Sequence, residues 1–174
     1  DINLNTAKES SGRVNELLNS NVTSYIQLDI YNKKDITNVL ADIDVMISAV
    51  PYFHNLHLTD IAIDTKTSMI DLGGHTDDVR KQLSKNKEAL DKGITILPDC
   101  GMGPGMNVSV AMMGVESMDN PKEVYVWDGG LPQNPIPPWN YSLFFNIKGL
   151  TNEYDGVAYF IENGKVTEVP CFEY

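Results

Sequence analysis

A glycine-rich stretch, PDCGMGPGMNV at residues 98–108, has a composition suited to binding a small anion. It carries three glycines and a proline in five residues, between an apolar run and an amphipathic pattern typical of a helix. Glycine frees the backbone to adopt unusual φ angles, and the N-terminus of a helix presents unsatisfied amides. The stretch therefore predicts an anchor for the carboxylate of an α-amino acid, with a tight packing turn as the alternative. The Lys-Ser/Thr ending of a phosphate-binding loop is absent.

Acidic and small residues at the ends of predicted strands point to a dinucleotide. Asp1 precedes a capped helix, and an acidic residue in that position commonly hydrogen-bonds the adenosine ribose. Asp29 ends the next β-rich run, where an adenine edge would lie. The apolar run after it ends in a further group of candidate cofactor contacts: Ser48, Ala49, Val50 and Pro51. The alternatives are a truncated terminus for Asp1, a solvated strand-end carboxylate for Asp29 and an ordinary strand-to-helix turn for residues 48–51.

Two histidines, His54 and His57, are spaced so that a helix could bring their imidazoles together as metal ligands. The sequence offers no evident third ligand, so we predict no metal site. Cys100 and Cys171 provide no disulfide framework, which favours a reducing compartment and hence the cytoplasm.

The charge of the chain bears on its partners. The formal net charge is −11, and the basic residues are scattered. An acidic chain of this kind is not expected to bind nucleic acid or an anionic membrane. A small-molecule substrate is the expected partner.

Apolar periodicity alternates between strands and helices over the first two-thirds of the chain. We predict strands at 22–30, 44–50, 68–72 and 94–97, and helices at 4–18, 34–43, 55–66, 76–93 and 104–118. Asn3 or Asn5 is the expected N-cap of the first helix, and Gly93 the expected C-cap of the fourth. This alternation predicts the α/β class with a parallel, doubly wound sheet. The continuous apolar run at 44–50 predicts a strand buried on both faces.

The composition changes near Pro121, because five of the nine prolines fall in residues 121–138. Beyond this point we predict strands at 123–127 and 139–147 and a hairpin that turns at Asn163-Gly164. We therefore divide the chain into residues 1–120, a partial dinucleotide-binding domain, and residues 121–174, the start of a mixed-sheet domain.

Five motifs, in this order, resemble the saccharopine dehydrogenase-like family: DVMISAVP, MIDLGGHTDDVRKQL, GITILPDCGMGPGMNV, DGGLPQNPIPPWNYSLFF and IENGKV. The resemblance covers essentially the whole chain and is nearest to the lysine 6-dehydrogenase type. It implies an incomplete Rossmann-type sheet followed by part of a mixed α/β catalytic and dimerisation domain, and hence a homodimer. It also implies oxidation of the C–N bond of a lysine-like or saccharopine-like amino acid by NAD or NADP. Asp1 favours NAD, because a carboxylate repels a 2′-phosphate.

The resemblance also assigns residues to the substrate end of the site. Its positions fall on Asp71, His75, Asp99, Cys100, Gly101 and Tyr141. Loss of hydride requires the nitrogen lone pair, so a general base must first deprotonate the ammonium. His75, with an ordinary pKa near 6.5, and Asp99, if desolvated, are the candidate catalytic residues. The alternatives are a helix-capping imidazole and a turn aspartate, and Cys100 is expected to line the pocket wall.

The chain departs from the family pattern because its sequence contains no G-x-G-x-x-G. We expect Asp1 to be the last residue of a strand whose body lies upstream. With the strand order 3-2-1-4-5-6 and a spacing of about 4.8 Å, the strand at 22–30 should then lie roughly 14 Å from the strand at 44–50. Two other functions stay open: an inactive homologue that serves as a dimerisation module, and a related dehydrogenase of the carboxynorspermidine type.

Overall fold

The computed structural model of the chain describes residues 1–143, 146–152 and 154–172. Its helices are α1 (Leu4–Leu17), α2 (Lys33–Leu40), α3 (Asn55–Thr65), α4 (Thr76–Ser84), α5 (Asn86–Lys92), α6 (Met106–Glu116) and α7 (Ile147–Asn152), with a 3-10 turn at Tyr52–His54. Its strands are β1 (Val45–Ser48), β2 (Ser68–Asp71), β3 (Ile96–Leu97), β4 (Val157–Glu162) and β5 (Lys165–Pro170). Across these described ranges, no helix is both long enough and apolar enough to cross a bilayer.

The first three strands form a parallel sheet in the order β1-β2-β3. Ile47 is in register with Ile70, and Ile70 with Leu97. The α/β class and the parallel direction predicted from the alternating apolar pattern are confirmed. Because the strands run in the same direction, their carboxyl ends and the loops that follow meet along one edge.

Helices α2 and α3 pack together over one face of the sheet and create the hydrophobic core. Ile61 on α3 and Met69 on β2 are fully buried, and Ile36 and Leu40 on α2 join them. Side chains alternate across a strand, so Val45 and Ile47 on β1 point to the opposite face. Ile47 remains 70% exposed there. The prediction that this strand is buried on both faces is therefore wrong for the described structure.

The β-rich segment at 22–30 forms no strand, which corrects the sequence prediction. Its end lies beside Asp1, whose carbonyl oxygen accepts a hydrogen bond of 2.9 Å from the Leu28 amide. Leu28 and Ile30 pack against the core. β-propensity describes how a residue fits a paired, half-buried surface, and this segment has too little partner backbone to form a ladder.

The helix boundaries follow the predicted caps with two changes. Asn3 caps α1 by accepting hydrogen bonds from the Asn5 and Thr6 amides, and Gly93 ends α5 in the left-handed conformation. The single helix predicted for 76–93 is divided at Lys85 into α4 and α5. Pro104 precedes α6 instead of opening it, because Gly105 adopts a φ of 130° at the N-cap position.

The last section contains one antiparallel hairpin, β4-β5, in which Glu162 pairs with Lys165. Asn163 and Gly164 form its turn with φ angles of 51° and 75°, as the Asn-Gly dipeptide predicts. The strands predicted at 123–127 and in the described part of 139–147 are absent, and α7 begins at Ile147. Residues 144 and 145 of the second predicted strand lie outside the described ranges.

Candidate functional site

A cleft of about 570 Å³ opens at the carboxyl edge of the parallel sheet. The loops after β1, β2 and β3 form its walls, and residues around α7 close one side. The residues that line the cleft include Pro51, Tyr52, Gly73, His75, Asp99 and Asn152. Ligands of open parallel sheets bind outside the carboxyl ends of the strands, so this cleft is the candidate site.

Asp99 brings a carboxylate into the cleft from the loop after β3. Its backbone is left-handed, with a φ of 65°, a conformation that aspartate tolerates better than most residues. Burial raises the pKa of this carboxyl, and the neighbouring charge of Asp71 raises it further, against a hydrogen bond from Gly74 that lowers it. A Cβ on Gly73 would lie 1.7 Å from Asp99 Oδ1, so only glycine leaves room for this carboxylate.

His75 lies in the same cleft, at the N-cap position of α4. Its ring stacks on Tyr52 with a centroid separation of 5.3 Å. Its Nδ1 is buried 3.3 Å from Asp78 Oδ2, within ion-pair distance but without hydrogen-bond alignment. That contact leaves Nε2 as the nitrogen that can exchange a proton with the cleft.

Asp71 does not reach the cleft, which corrects its assignment as a direct substrate contact. Its side chain is completely buried beneath the loops. Asp71 Oδ1 accepts hydrogen bonds from the Gly73 amide at 2.8 Å and the Asp99 amide at 3.2 Å, and Oδ2 accepts one from Gln82 at 2.6 Å. With both oxygens engaged, this carboxylate has no surface for a substrate.

Three other predicted substrate contacts are not among the residues that line the cleft: Cys100, Gly101 and Tyr141. Cys100 is exposed and Tyr141 is 42% exposed. A Cβ at Gly101 would lie 2.6 Å from the Leu72 carbonyl oxygen, so the backbone there leaves no room for a side chain. The cleft also contains three residues that the sequence does not identify as site residues: Tyr52, Gly73 and Asn152. The repeated glycines in MIDLGGHT were the one signal that could have indicated the close approach at Gly73.

The N-terminus of α6 does not offer the free amides predicted for a substrate carboxylate. The Met106 and Asn107 amides donate to the carbonyl oxygens of Gly101 and Met102, each at 2.9 Å. The Val108 amide donates to the side chain of Asn107 at 2.7 Å. The structure therefore favours the alternative, in which the glycines form a tight turn that leads into the helix.

A second cavity, a groove of about 620 Å³, lies between β1 and the segment that ends at Tyr31. Its lining includes six of the predicted cofactor contacts: Asp1, Asp29, Ser48, Ala49, Val50 and Pro51. Ala49, Val50 and Pro51 also line the cleft, so the groove and the cleft share one wall. The predicted cofactor contacts are thus brought together in one cavity.

The rim of the groove is aromatic and acidic. Tyr31 packs edge-on against His54 with ring centroids 5.1 Å apart, and burial, followed by the nearby His57, lowers the pKa of His54. Asp29 Oδ1 accepts a hydrogen bond from the Tyr31 amide and Asp1 Oδ1 one from the Asn3 amide. Each carboxylate keeps a second oxygen that can accept a hydrogen bond from a bound hydroxyl.

Comparisons with known proteins agree with this fold. Residues 4–97 match the family model for the saccharopine dehydrogenase NADP-binding domain. The chain is 25% identical to saccharopine dehydrogenase [NADP(+), L-glutamate-forming] of Saccharomyces cerevisiae, over 97% of the chain and 39% of that relative. It is 29% identical to the mitochondrial alpha-aminoadipic semialdehyde synthase of Rattus norvegicus, over 72% of the chain and 14% of the relative.

A solved structure shows the same fold. It is the apo, histidine-tagged saccharopine dehydrogenase (L-Glu forming) of Saccharomyces cerevisiae, which aligns with a TM-score of 0.56 at 22% identity. The alignment covers 92% of this chain and 37% of the yeast chain. The chain therefore spans well under half the length of the relatives that it matches.

Proposed function

Because the chain belongs to the saccharopine dehydrogenase NADP-binding-domain family, we propose that it supplies part of the site of a nicotinamide-dependent oxidoreductase. The proposed reaction is oxidation of the C–N bond of a lysine-like or saccharopine-like amino acid. The shared wall at Ala49, Val50 and Pro51 carries the proposal, since it places the Asp1 groove next to the Asp99 cleft. A dinucleotide and its substrate require two adjoining compartments of this kind.

The groove fits the ribose end of a dinucleotide. Asp1 and Asp29 are exposed carboxylates at its edge, and carboxylates accept hydrogen bonds from ribose hydroxyls. The names of the matched family model and of the yeast relative favour NADP over the NAD that Asp1 alone predicts. Among the described residues that line the groove, none is a lysine or arginine that could pair with a 2′-phosphate. We propose NADP as the cofactor, and measuring the reduction of NADP against that of NAD tests this choice.

Two side chains in the cleft can manage the proton of the substrate ammonium. Burial raises the pKa of Asp99 and Gly73 leaves its carboxylate space, so Asp99 can accept a proton in the cleft. His75 Nε2 can accept one from the same cavity. When bound, the nicotinamide supplies the hydride acceptor. The residues of the chain are then required to orient the amine and remove its proton.

The test is reduction of NAD and NADP by the full-length protein with lysine, saccharopine and related diamines. His75→Ala and Asp99→Ala should each lower kcat by about 10²-fold, the usual contribution of a general acid or base. Asp42→Ala, an exposed aspartate outside both cavities, is the control. If neither cofactor is reduced with any of these amines, the oxidoreductase proposal is wrong. Near-parent rates in both variants would remove the two residues from the mechanism.

We also propose that residues 121–174 contribute a homodimer interface. Trp127 is 92% exposed and Trp139 is 86% exposed, and Leu131 and Ile136 are also open to solvent. Tryptophan is enriched at protein interfaces, and large apolar side chains left open to solvent can mark such a surface. These exposed side chains are the support for the proposal.

A further inference from the structure

A continuous set of buried polar side chains runs beneath the cleft from β1 to β2. Ser48 Oγ donates to Asn55 Oδ1 at 2.9 Å, and Thr59 Oγ1 donates to the Asn55 carbonyl at 2.8 Å. Gln82 Nε2 then donates to Thr59 Oγ1 at 2.9 Å and to Asp71 Oδ2 at 2.6 Å. All five side chains are at most 4% exposed. Polar groups are rarely buried at this density unless their hydrogen bonds fix a particular geometry.

Gln82 is the residue of this set that donates a hydrogen bond to one oxygen of Asp71, Oδ2. The other oxygen, Oδ1, accepts the amides of Gly73 and Asp99 at 2.8 and 3.2 Å. One carboxylate is therefore hydrogen-bonded to α4 and to the loops after β2 and β3. Those loops also touch directly, since the space beside Gly73 is filled by Asp99 Oδ1.

We propose that Gln82 is a positioning residue: by fixing the Asp71 carboxylate, it sets where the Asp99 carboxylate stands in the cleft. Gln82 side-chain atoms act from below the loops and touch no substrate. The geometric part stands on the hydrogen bonds alone, whereas its effect on catalysis rests on the proposed function.

The geometric part is tested by amide hydrogen exchange in the full-length protein. Gln82→Met keeps the length of the side chain and removes its donor. Exchange at residues 73 and 99 should rise by about tenfold or more, since their acceptor is no longer held. Thr67→Val is the matched control, because Thr67 is equally buried and donates to the Leu40 carbonyl, away from the cleft. Unchanged exchange at both residues in Gln82→Met would overturn the proposal.

A second pair of variants covers the case in which Gln82→Met does not fold. Gln82→Glu sets a second carboxylate against Asp71 and should also increase exchange at residues 73 and 99. Adding Asp71→Asn to Gln82→Glu restores an amide–carboxylate pair with reversed polarity, and Oδ1 of the new amide can still accept the two backbone amides. Exchange should then return toward the parent rate. A double variant no more protected than Gln82→Glu overturns the proposal.

Kinetics test the catalytic consequence. Gln82→Met should lower kcat by about tenfold or more and leave the KM for the cofactor within about twofold, as expected when an interaction needed in the transition state is lost. Thr67→Val should leave both unchanged. Faster exchange with an unchanged kcat would overturn the catalytic part. A parent protein that reduces neither cofactor would instead refute the proposed function, while the exchange results would still decide the geometry.

Discussion

Asp99 and Asp71 are two neighbouring carboxylates in different environments. Asp71 is buried with both oxygens engaged, whereas Asp99 stands in the cleft. Burial is the main cause of the raised pKa of Asp99, and the charge of Asp71 adds to it. A carboxyl group in a cleft whose pKa is raised by burial is typical of an acid–base site. The same shift has a consequence for stability.

At the residue scale, we predict a pH-dependent gain in stability for Asp99→Asn. The folded-state pKa of Asp99 lies above its ordinary value of 3.8, so the protonated form is favoured in the fold. The protonated carboxyl therefore contributes stability that is fully present below pH 3.8. This contribution is lost as the pH rises through the folded-state pKa of Asp99. An amide loses nothing over this range. Asp99→Asn should therefore melt at a higher temperature than the parent at pH 7, and the difference should vanish at acidic pH.

Thermal unfolding measured from acidic to neutral pH checks this expectation. Asp42→Asn, which removes an exposed carboxylate, is the control and should show no comparable trend. A difference between Asp99→Asn and the parent that does not vary with pH would contradict the explanation.

At the scale of elements, the loops after the parallel strands hold the site through close backbone contacts. Gly73 and Gly93 both adopt the left-handed conformation, with φ angles of 69° and 70°. They differ in surroundings, since a Cβ at Gly73 meets Asp99 and one at Gly93 meets nothing within 4 Å. A substitution at Gly93 therefore tests backbone strain alone, whereas the same substitution at Gly73 adds a steric clash with Asp99.

We predict unequal effects from the same substitution at these two glycines. Gly93→Ala should lower the free energy of unfolding by about 1–2 kcal/mol, the cost of the left-handed conformation for alanine. Gly73→Ala should lower it by roughly 1–3 kcal/mol more, because the new methyl group must push Asp99 aside. Urea unfolding and kcat of both variants are the measurements. Equal losses of stability, or an unchanged kcat in Gly73→Ala, would contradict the prediction.

The elements also show where sequence reasoning succeeds. The strands β1 and β2 and the helix α3 fall within their predicted ranges, since apolar runs and helical periodicity report burial directly. The segments at 22–30 and 123–127 have the same β-rich composition but no partner strand, which composition cannot reveal. Gln82 and Thr59 look like surface residues of their helices, and only the fold shows that they face Asp71 beneath the cleft.

At the scale of the whole molecule, two contacts of the described residues connect the section from 121 onward to the loop after β2 and to α4. Asn152 Nδ2 donates to the Gly74 carbonyl at 2.8 Å, and the Arg80 guanidinium lies 4.1 Å from the centroid of the Tyr159 ring. A cation over an aromatic ring contributes about 0.5–1 kcal/mol at an exposed site. Neither contact involves Trp127 or Trp139, which remain exposed.

We therefore predict that the full-length protein self-associates and that Trp127→Ser combined with Trp139→Ser weakens this association. The reason is the loss of two large apolar side chains that solvent reaches in the single chain. Light scattering during size-exclusion chromatography should show the parent as a dimer and the double variant shifted toward the monomer. Leu17→Ser, on the 75% exposed Leu17 of α1, is the control. An identical mass for parent and double variant would contradict the proposed interface.

The wall formed by Ala49, Val50 and Pro51 belongs to both cavities. A molecule seated on one side restrains the same backbone that a molecule on the other side must touch. We therefore expect binding in one cavity to change the affinity of the other, and such coupling is reciprocal. If a ligand in the groove changes the affinity of a ligand in the cleft by some factor, the ligand in the cleft changes the affinity of the ligand in the groove by the same factor.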